Sequence, residues 1–254
     1  WPVTGKSKMK HYIPEIMAIK NENQAIKVMI NSSVPFAVRC EVKYGTLRKG
    51  ISQPQLDRFA KASIIDTIKR HNPCLAMVHL VIVDAFKHQH GVESPEIDKA
   101  LKMLDDMVGE ILAAGKDEYT YIMFSDHGQF TVEKEVYLNV FLNEHGLISF
   151  ESKEYQAYIE SLGGSAVIRF KNEDALKKTL DLLNDNKDML GIEDIYSRGM
   201  LDKLHISKDI EYIIEAKKGY HFKEGEFKST VRDMKKENIT HATHGYSPLK
   251  SGYK

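Results

Sequence analysis

The sequence predicts an α/β fold with a mostly parallel central sheet. Cys74 to Val83 is an almost continuous apolar run of strand length, as expected of a strand that is covered on both faces. Tyr119 to Phe124 is a second such run, and the residues between the two runs have the periodicity of an amphipathic helix. A strand, a helix and a strand in this order predict a right-handed crossover unit, which joins parallel strands.

Further strands and helices are predicted on either side of the first run. Ala25 to Ile30 and Ala37 to Val42 have the length and apolar content of strands, and Pro54 to Arg70 has helical spacing. Ser94 can cap a helix whose first residue is Pro95. The apolar face of that helix is predicted at Ile97, Leu101, Leu104, Val108, Ile111 and Leu112, and Gly115 ends it.

The pattern changes in the second half of the chain. Gly163-Gly164-Ser165 precedes a predicted strand from Ala166 to Phe170, a charged helix follows from Glu173 to Leu183, and Ile210 to Ala216 is a second strand. We therefore predict three parts, with an α/β core over residues 1–150, an α+β cap or insertion over 151–222 and a return to the core over 223–254.

The composition narrows the class of partner. Lys plus Arg and Asp plus Glu both count 36, so there is no net charge to attract nucleic acid or an anionic membrane. No run approaches the length of a membrane span, and the first residues have no signal-peptide pattern. We interpret Cys40 and Cys74 as free thiols in a reducing compartment, which predicts a cytoplasmic location.

Two groups of possible metal ligands follow the two apolar runs. Asp84 and His88 are four residues apart after the first run; an isolated match of this kind more often reflects a capping Asp and exposed His residues. Ser125-Asp126-His127-Gly128 follows the second run, where the desolvation cost of Asp126 and His127 would be offset by a metal. In an open parallel sheet both groups lie where ligands collect, beyond the carboxyl ends of the strands.

A third group, His241-Ala242-Thr243-His244-Gly245-Tyr246, lies near the end of the chain. Its spacing does not decide whether His241 or His244 is a ligand. Four neighbours of the proposed ligands could contact substrate, although residues in such positions are more often structural or exposed: Lys87, His90, Gln129 and Tyr246. The histidines outside these groups are interpreted as structural or exposed residues, namely His11, His71, His79, His145, His205 and His221.

Together these motifs resemble the metal-ligand series of the alkaline phosphatase superfamily, in particular its type I phosphodiesterase / nucleotide pyrophosphatase branch. The order of the motifs carries the resemblance: Asp-x-x-x-His, then Asp-His-Gly, then a variable insertion, then His-Gly-Tyr. The resemblance spans the chain from Trp1 to its C terminus. It implies an alkaline-phosphatase-like three-layer sandwich with a mostly parallel central sheet and a small α+β insertion.

The resemblance also implies two divalent metal ions, zinc with manganese as the alternative. Asp84, His88 and His244 would hold one ion, and Asp126 and His127 would hold the second together with two further groups. In the family those two groups are an Asp and a Thr or Ser nucleophile, and we expect both upstream of Trp1. Hydroxyl residues without a family-like nucleophile context are Thr4, Ser7, Thr46, Ser52 and Thr230.

The function implied by the resemblance is hydrolysis of phosphodiester or pyrophosphate bonds in nucleotides or related small molecules. The hydroxyl nucleophile would form a covalent intermediate that water then releases. One alternative keeps the superfamily but changes the reaction to that of a phosphomonoesterase, a sulfatase-like or phosphonate hydrolase, or a mutase. A second alternative is a non-catalytic metal-binding scaffold. A nucleotide-binding protein without metal lacks support, because there is no P-loop and no Gly-rich dinucleotide fingerprint.

Overall fold

A computed structural model of the chain describes residues 37–41, 52–115 and 119–247, with the backbone alone described for 37–41. The predicted strand Ala25 to Ile30 and His11 lie outside these residues. The chain divides into two compact units. The first contains the residues up to Phe86 together with Ser94–Phe124. The second contains Lys87–Glu93 and the residues from Ser125 onward. The predicted boundaries at residues 150 and 222 stay predictions.

The first unit is built on a parallel strand pair. Strand β1 (Ala37–Glu41) pairs in parallel with β2 (Leu75–His79), and helix α1 (Gln53–His71) connects them. The backbone N–H of Ser52 donates to Gln55 Oε1 at 2.8 Å, which satisfies one group at the start of α1. The predictions of β1 and α1 are therefore confirmed to within a few residues.

The apolar run from Cys74 to Val83 is not one strand, which corrects the prediction. The strand ends at His79, and helix α2 (Ile82–His90) begins three residues later. The cause is Asp57, fully buried on α1, whose Oδ2 accepts the N–H groups of Val81 and Ile82 at 2.7 and 2.6 Å. A carboxylate on the first N–H groups of a helix satisfies donors that have no partner within the helix, so the apolar residues after His79 continue as a helix.

Helix α3 (Pro95–Gly115) has the predicted bounds, but its buried face is shifted. Its buried residues include Ile97 and Ile111 from the predicted face, together with Ala100 and Met107, whereas Leu101 is 48% exposed. Leu112 is 37% exposed as well. Leu101 and Leu112 are eleven residues, or about three turns, apart, so both lie on the edge of the predicted face that is turned to solvent.

The predicted buried strand from Tyr119 to Phe124 is wrong. These residues form no strand, and Ile122, Met123 and Phe124 are 75–83% exposed. A buried strand needs a paired strand and a covered face. Within the described residues no strand pairs with this segment, and of its side chains only Tyr119 packs against a hydrophobic cluster. On β2, Leu75 and Met77 are also exposed, so the prediction that this strand is covered on both faces is wrong as well.

The second unit contains many short elements. In chain order they are β3 (Phe130–Thr131), β4 (Lys134–Val136), α4 (Leu138–Glu144), β5 (Ile148–Ser149), β6 (Glu154–Tyr155), β7 (Ala157–Ser161), β8 (Ser165–Phe170), α5 (Glu173–Asp185), β9 (Ile192–Ser197), α6 (Arg198–Lys203), β10 (Tyr212–Ala216), β11 (Tyr220–Phe222), β12 (Val231–Asp233) and β13 (Ala242–Thr243).

An antiparallel sheet in the order β7-β8-β10-β9 forms the centre of the second unit. Asn172 caps helix α5, since its side chain accepts the N–H of Ala175 at 2.9 Å. The apolar residues Leu176 and Leu183 of this helix belong to the core. The predicted elements Ala166 to Phe170, Glu173 to Leu183 and Ile210 to Ala216 are confirmed with shifts of at most two residues.

Two smaller sheets of this unit position polar side chains. Strand β4 lies between β11, which is parallel to it, and β12, which is antiparallel. Strand β13 pairs with β3, which brings the late histidine motif beside the residues that follow Gly128. Across the described parts of the chain, no helix is long and apolar enough to cross a membrane.

Candidate metal centre

His88 is oriented by a backbone carbonyl. It lies on α2, and its Nδ1 is 2.8 Å from the carbonyl oxygen of Ala242 on β13. A carbonyl oxygen can only accept, so Nδ1 carries a proton, and in the neutral ring the lone pair is on Nε2. Metal-binding histidines usually donate their second ring nitrogen in this way, which fixes the tautomer and the direction of the ligand atom.

Three imidazole rings meet in the second unit. The rings of His127 and His244 stack with centroids 3.9 Å apart and an interplanar angle of 23°. The ring of His88 lies edge-on to His244, with centroids 5.1 Å apart. His88, His127 and His244, which we call the histidine group, are far apart in the sequence, so the fold brings three predicted ligands together.

A tight turn holds Asp126 next to His127. The backbone N–H of His127 donates to Asp126 Oδ1 at 3.0 Å, and Ser125 Oγ donates to the carbonyl oxygen of His127 at 2.9 Å. Asp126 Oδ2 lies 3.7 Å from His127 Nε2. Asp126 and His127 are exposed, so the predicted desolvation cost at the end of a buried strand does not apply. The reason to consider them as metal ligands is instead that His127 belongs to the histidine group.

Two glycines fix the loop that carries His244. The N–H of Gly164 donates to the carbonyl oxygen of His244 at 2.7 Å, and a Cβ on Gly164 would lie 2.6 Å from the ring of Tyr246. Gly163 has a φ of +91°, and its Cβ would lie 2.5 Å from the same carbonyl oxygen. Such close approach is open only to glycine. The sequence shows Gly163-Gly164 as a strand start and gives no signal of this contact, about 80 residues away along the chain.

Tyr246 is structural, as predicted. Its hydroxyl donates to the carbonyl oxygen of Tyr220 at 2.5 Å, and its ring packs edge-on against Phe130 with centroids 5.2 Å apart. These contacts hold the residue after Gly245 against the sheet. The loop from His244 to Tyr246 is therefore anchored on both sides of its glycine.

The remaining candidates are placed as follows. Asp84 lies one turn before His88 on α2, in the first turn of a helix rather than in the predicted loop after a strand, and belongs to the first unit. His241 faces Glu135, a residue that no sequence motif singles out. Of the hydroxyl residues, Ser52 caps α1 and Thr230 lies 3.4 Å from Glu144 Oε2, while Thr4, Ser7 and Thr46 lie outside the described residues.

The donors of the histidine group fit a divalent metal. Imidazole nitrogens and carboxylate oxygens are zinc ligands, and the neutral ring of His88 has Nε2 available for a metal because its Nδ1 is engaged. Asp126 adds an exposed carboxylate beside His127. This donor set can hold zinc. It is less suited to manganese, because manganese prefers oxygen ligands.

Comparisons with known proteins show a family and a fold. A sequence model of the family described as type I phosphodiesterase / nucleotide pyrophosphatase matches residues 3–247. No curated protein shows significant sequence similarity to the chain. Solved structures of the same fold are known at low sequence identity.

Human ectonucleotide pyrophosphatase / phosphodiesterase 5 superposes with a TM-score of 0.55 at 15% identity, covering 87% of this chain and 58% of that one. An inactive variant of murine ectonucleotide pyrophosphatase / phosphodiesterase 5, in complex with AMP, gives the same TM-score, identity and coverage. Phosphonoacetate hydrolase from Sinorhizobium meliloti 1021, in complex with phosphonoformate, gives a TM-score of 0.52 at 14% identity, covering 76% of this chain and 48% of that one. The chain thus spans about half to three-fifths of these proteins and shares their α/β, alkaline-phosphatase-like fold, which confirms the predicted fold class.

Proposed function

Because the chain belongs to the type I phosphodiesterase / nucleotide pyrophosphatase family, we propose that it carries the metal-binding part of a hydrolase that cleaves phosphodiester or pyrophosphate bonds in nucleotides or related small molecules. The observation that supports the proposal most strongly is the histidine group, because three predicted ligands from distant parts of the sequence meet in one unit. The ligand set of the proposal is Asp84, His88, Asp126, His127 and His244, with two zinc ions as the cofactor.

The chain's own residues orient these ligands before any substrate arrives. The carbonyl of Ala242 fixes the ring of His88, the turn at Asp126 fixes the backbone of His127, and the Gly163-Gly164 pair fixes the loop of His244. Ligands that are already oriented need little rearrangement during the reaction. Two divalent ions at such a centre would supply positive charge that stabilises the attacking and leaving oxygens of a phosphoryl transfer.

A nucleotide substrate is supported by the murine relative, which is described in complex with AMP. A small phosphonate is supported by the likeness to phosphonoacetate hydrolase, and it is the second candidate substrate class. Both substrates present a phosphorus with two or three non-bridging oxygens that carry negative charge, so the same ligand set can serve either one. What differs is the leaving group, which is an alkoxide or phosphate in one case and a carbanion in the other.

The test is hydrolysis of three compounds by the full-length gene product: a nitrophenyl ester of a nucleotide, nitrophenyl phosphate and phosphonoacetate. Each is assayed with added zinc or manganese and with a chelator. We expect metal-dependent cleavage that is fastest for the nucleotide diester. Faster cleavage of the monoester or of phosphonoacetate would overturn the proposed substrate class, and equal rates with and without chelator would overturn the metal-dependent mechanism.

A matched pair of variants links the activity to the histidine group. His88→Ala removes an oriented ligand, and we expect a loss of activity of at least about 100-fold, since the loss even of second-shell partners of metal ligands costs about 10–100-fold. His205→Asn is the control, because His205 is an exposed residue with a φ of +55°, a conformation that Asn tolerates. Similar losses in both variants would show that the histidine group has no special role.

A further inference from the structure

A second cluster of ligand-type side chains lies in the same unit. Glu135, His221 and His241 each offer one ligand atom, and these atoms all lie within 4.8 Å of one another. Glu135 is 3% exposed and lies on β4, the central strand of its sheet. We call these three residues the Glu135 cluster. From the sequence, His221 is expected to be structural, and the spacing of the late motif does not decide the role of His241.

Strand register brings the cluster together. In the parallel pair of β11 and β4, His221 lies directly opposite Glu135, so the two side chains project from the same face of the sheet. His241 immediately precedes β13, and its carbonyl oxygen accepts the N–H of Val132 at 2.9 Å. The three residues are thus positioned by backbone hydrogen bonds of separate strands.

The imidazole nitrogens of the cluster are poorly satisfied. Within the part of the chain that the structure describes, His221 Nδ1 and His241 Nε2 are buried atoms without a hydrogen-bond partner. His241 Nε2 is only 3.2 Å from Glu135 Oε1, within ion-pair distance, but the angles at this contact are not those of a hydrogen bond. Buried polar atoms without partners cost free energy, so they call for a specific explanation.

We propose that Glu135, His221 and His241 form a divalent-metal site, separate from the histidine group, that binds zinc through one carboxylate oxygen and two imidazole nitrogens. One carboxylate with two imidazoles is a known zinc-binding combination that leaves a fourth position for water. In tetrahedral zinc sites the ligand atoms are roughly 3.4 Å apart, given metal–ligand distances of about 2.0–2.2 Å. The 3.2 Å between Glu135 Oε1 and His241 Nε2 already has this spacing.

The surroundings of Glu135 leave one oxygen for the metal. Its Oε2 accepts from the hydroxyl of Tyr137 at 2.9 Å and from Arg232 Nη1 at 3.2 Å, and Arg232 also binds Glu237. These contacts orient the carboxylate as outer partners of a metal ligand do. Burial opposes ionisation, but contacts from His241 and Tyr137 and the charge of Lys223 hold the pKa of Glu135 at about 2.

Lys223 is the cation that competes for the site. Its Nζ lies 3.5 Å from Glu135 Oε1, the same oxygen that the metal would use, and its side chain is 43% exposed. A partly exposed lysine can move its ammonium group into water when an ion binds. Removing this charge should therefore tighten zinc binding, which would not be expected if the cluster were only a network of ion pairs.

The first experiment counts zinc. Chelator-treated protein is incubated with excess zinc, desalted and analysed by atomic absorption for wild type, His221→Gln, His241→Gln and the control His205→Asn. We expect His221→Gln and His241→Gln to bind one zinc fewer than the control. Adding His88→Ala to either variant should lower the count further, because the histidine group is a separate site. Equal zinc contents in His221→Gln, His241→Gln and the control would overturn the proposal.

The second experiment does not depend on the loss of a ligand. Lys223→Met removes the competing cation, and Lys236→Met removes an exposed lysine of the same unit as a control. Competition titration with a zinc-sensitive dye should show roughly tenfold tighter binding at this site in the first variant and no change in the second. Unchanged affinity in both variants would overturn the proposal, even if the ligand variants misfold. The activity assays of the full-length protein are independent of either result.

Discussion

The buried carboxylate of Asp57 accepts the backbone N–H of Ile82 at 2.6 Å. The same oxygen accepts the N–H of Val81 at 2.7 Å, and Gln53 Nε2 donates to the other oxygen at 2.8 Å. Asp57 therefore determines where α2 begins, and α2 carries Asp84 and His88 one turn apart on one face. Asp57, which belongs to no motif, thus determines the start of the helix on which the predicted ligands Asp84 and His88 lie.

Removing this carboxylate should release the first turn of α2. In Asp57→Ala three hydrogen bonds are lost and buried N–H groups are left without an acceptor, so we expect a loss of about 3 kcal/mol in the free energy of unfolding. The amides of Val81 and Ile82 should exchange hydrogen much faster than in wild type. Asp105→Ala, which changes an exposed carboxylate on α3, is the control. Unchanged exchange at these two amides would contradict the role assigned to Asp57.

Asp57 also predicts a pH dependence. Burial raises its pKa above the ordinary 3.8, although hydrogen bonds from Gln53, Ile82 and Val81 oppose the shift. The folded state then holds the Asp57 proton to a higher pH than the unfolded state. This contribution to stability is complete below pH 3.8 and is lost as the pH rises through the raised pKa.

Asp57→Asn tests that sign, because Asn keeps an acceptor for Val81 and Ile82 but does not titrate. The free energy of unfolding of wild type minus that of the variant should fall as the pH rises from about 4. Urea unfolding at a series of pH values measures this difference, with Asp105→Asn as the control. A difference that is constant or grows with pH would show that the pKa of Asp57 is not raised.

The tautomer of His88 is a direct prediction of its contact with Ala242. Since Nδ1 must donate to a carbonyl oxygen 2.8 Å away, the neutral ring should carry its proton on Nδ1 in the metal-free protein. Long-range nitrogen–proton NMR correlations of labelled histidine distinguish the two tautomers. An Nε2-protonated ring would mean that the nitrogen proposed to bind metal is not prepared for it.

Periodicity predicted the helices α1, α3 and α5 and the strands β8 and β10. It failed where a tertiary contact decided the structure. Cys74 to Val83 is apolar except for His79, and an apolar run cannot distinguish a buried strand from a strand followed by a helix. The carboxylate of Asp57, 24 residues before Val81, makes that choice. Tyr119 to Phe124 has strand-like composition, yet a strand forms only where a neighbour supplies hydrogen bonds.

The ligands of the candidate site were predictable where Asp and His residues stand close together in a short motif. The histidines at positions 88, 127 and 244 follow recognisable motifs, and the structure brings their rings together. The contacts that orient these histidines were not predictable, because the carbonyl oxygen of a residue such as Ala242 is present whatever its side chain is. The Glu135 cluster was missed for a related reason, since strand register alone places His221 opposite Glu135.

The glycine pair before β8 gives the last prediction, which concerns the loop of His244. In Gly163→Ala the new Cβ would lie 2.5 Å from the carbonyl oxygen of His244, and the φ of +91° disfavours any side chain. Backbone strain of this kind costs about 1–3 kcal/mol, so the loop should shift and weaken zinc binding by the histidine group. Gly199→Ala is the control, because nothing lies within 4 Å of its Cβ. Zinc affinity measured by dye competition should fall only in the first variant. Equal affinity in Gly163→Ala and Gly199→Ala, with the first variant folded, would show that this close approach does not position His244.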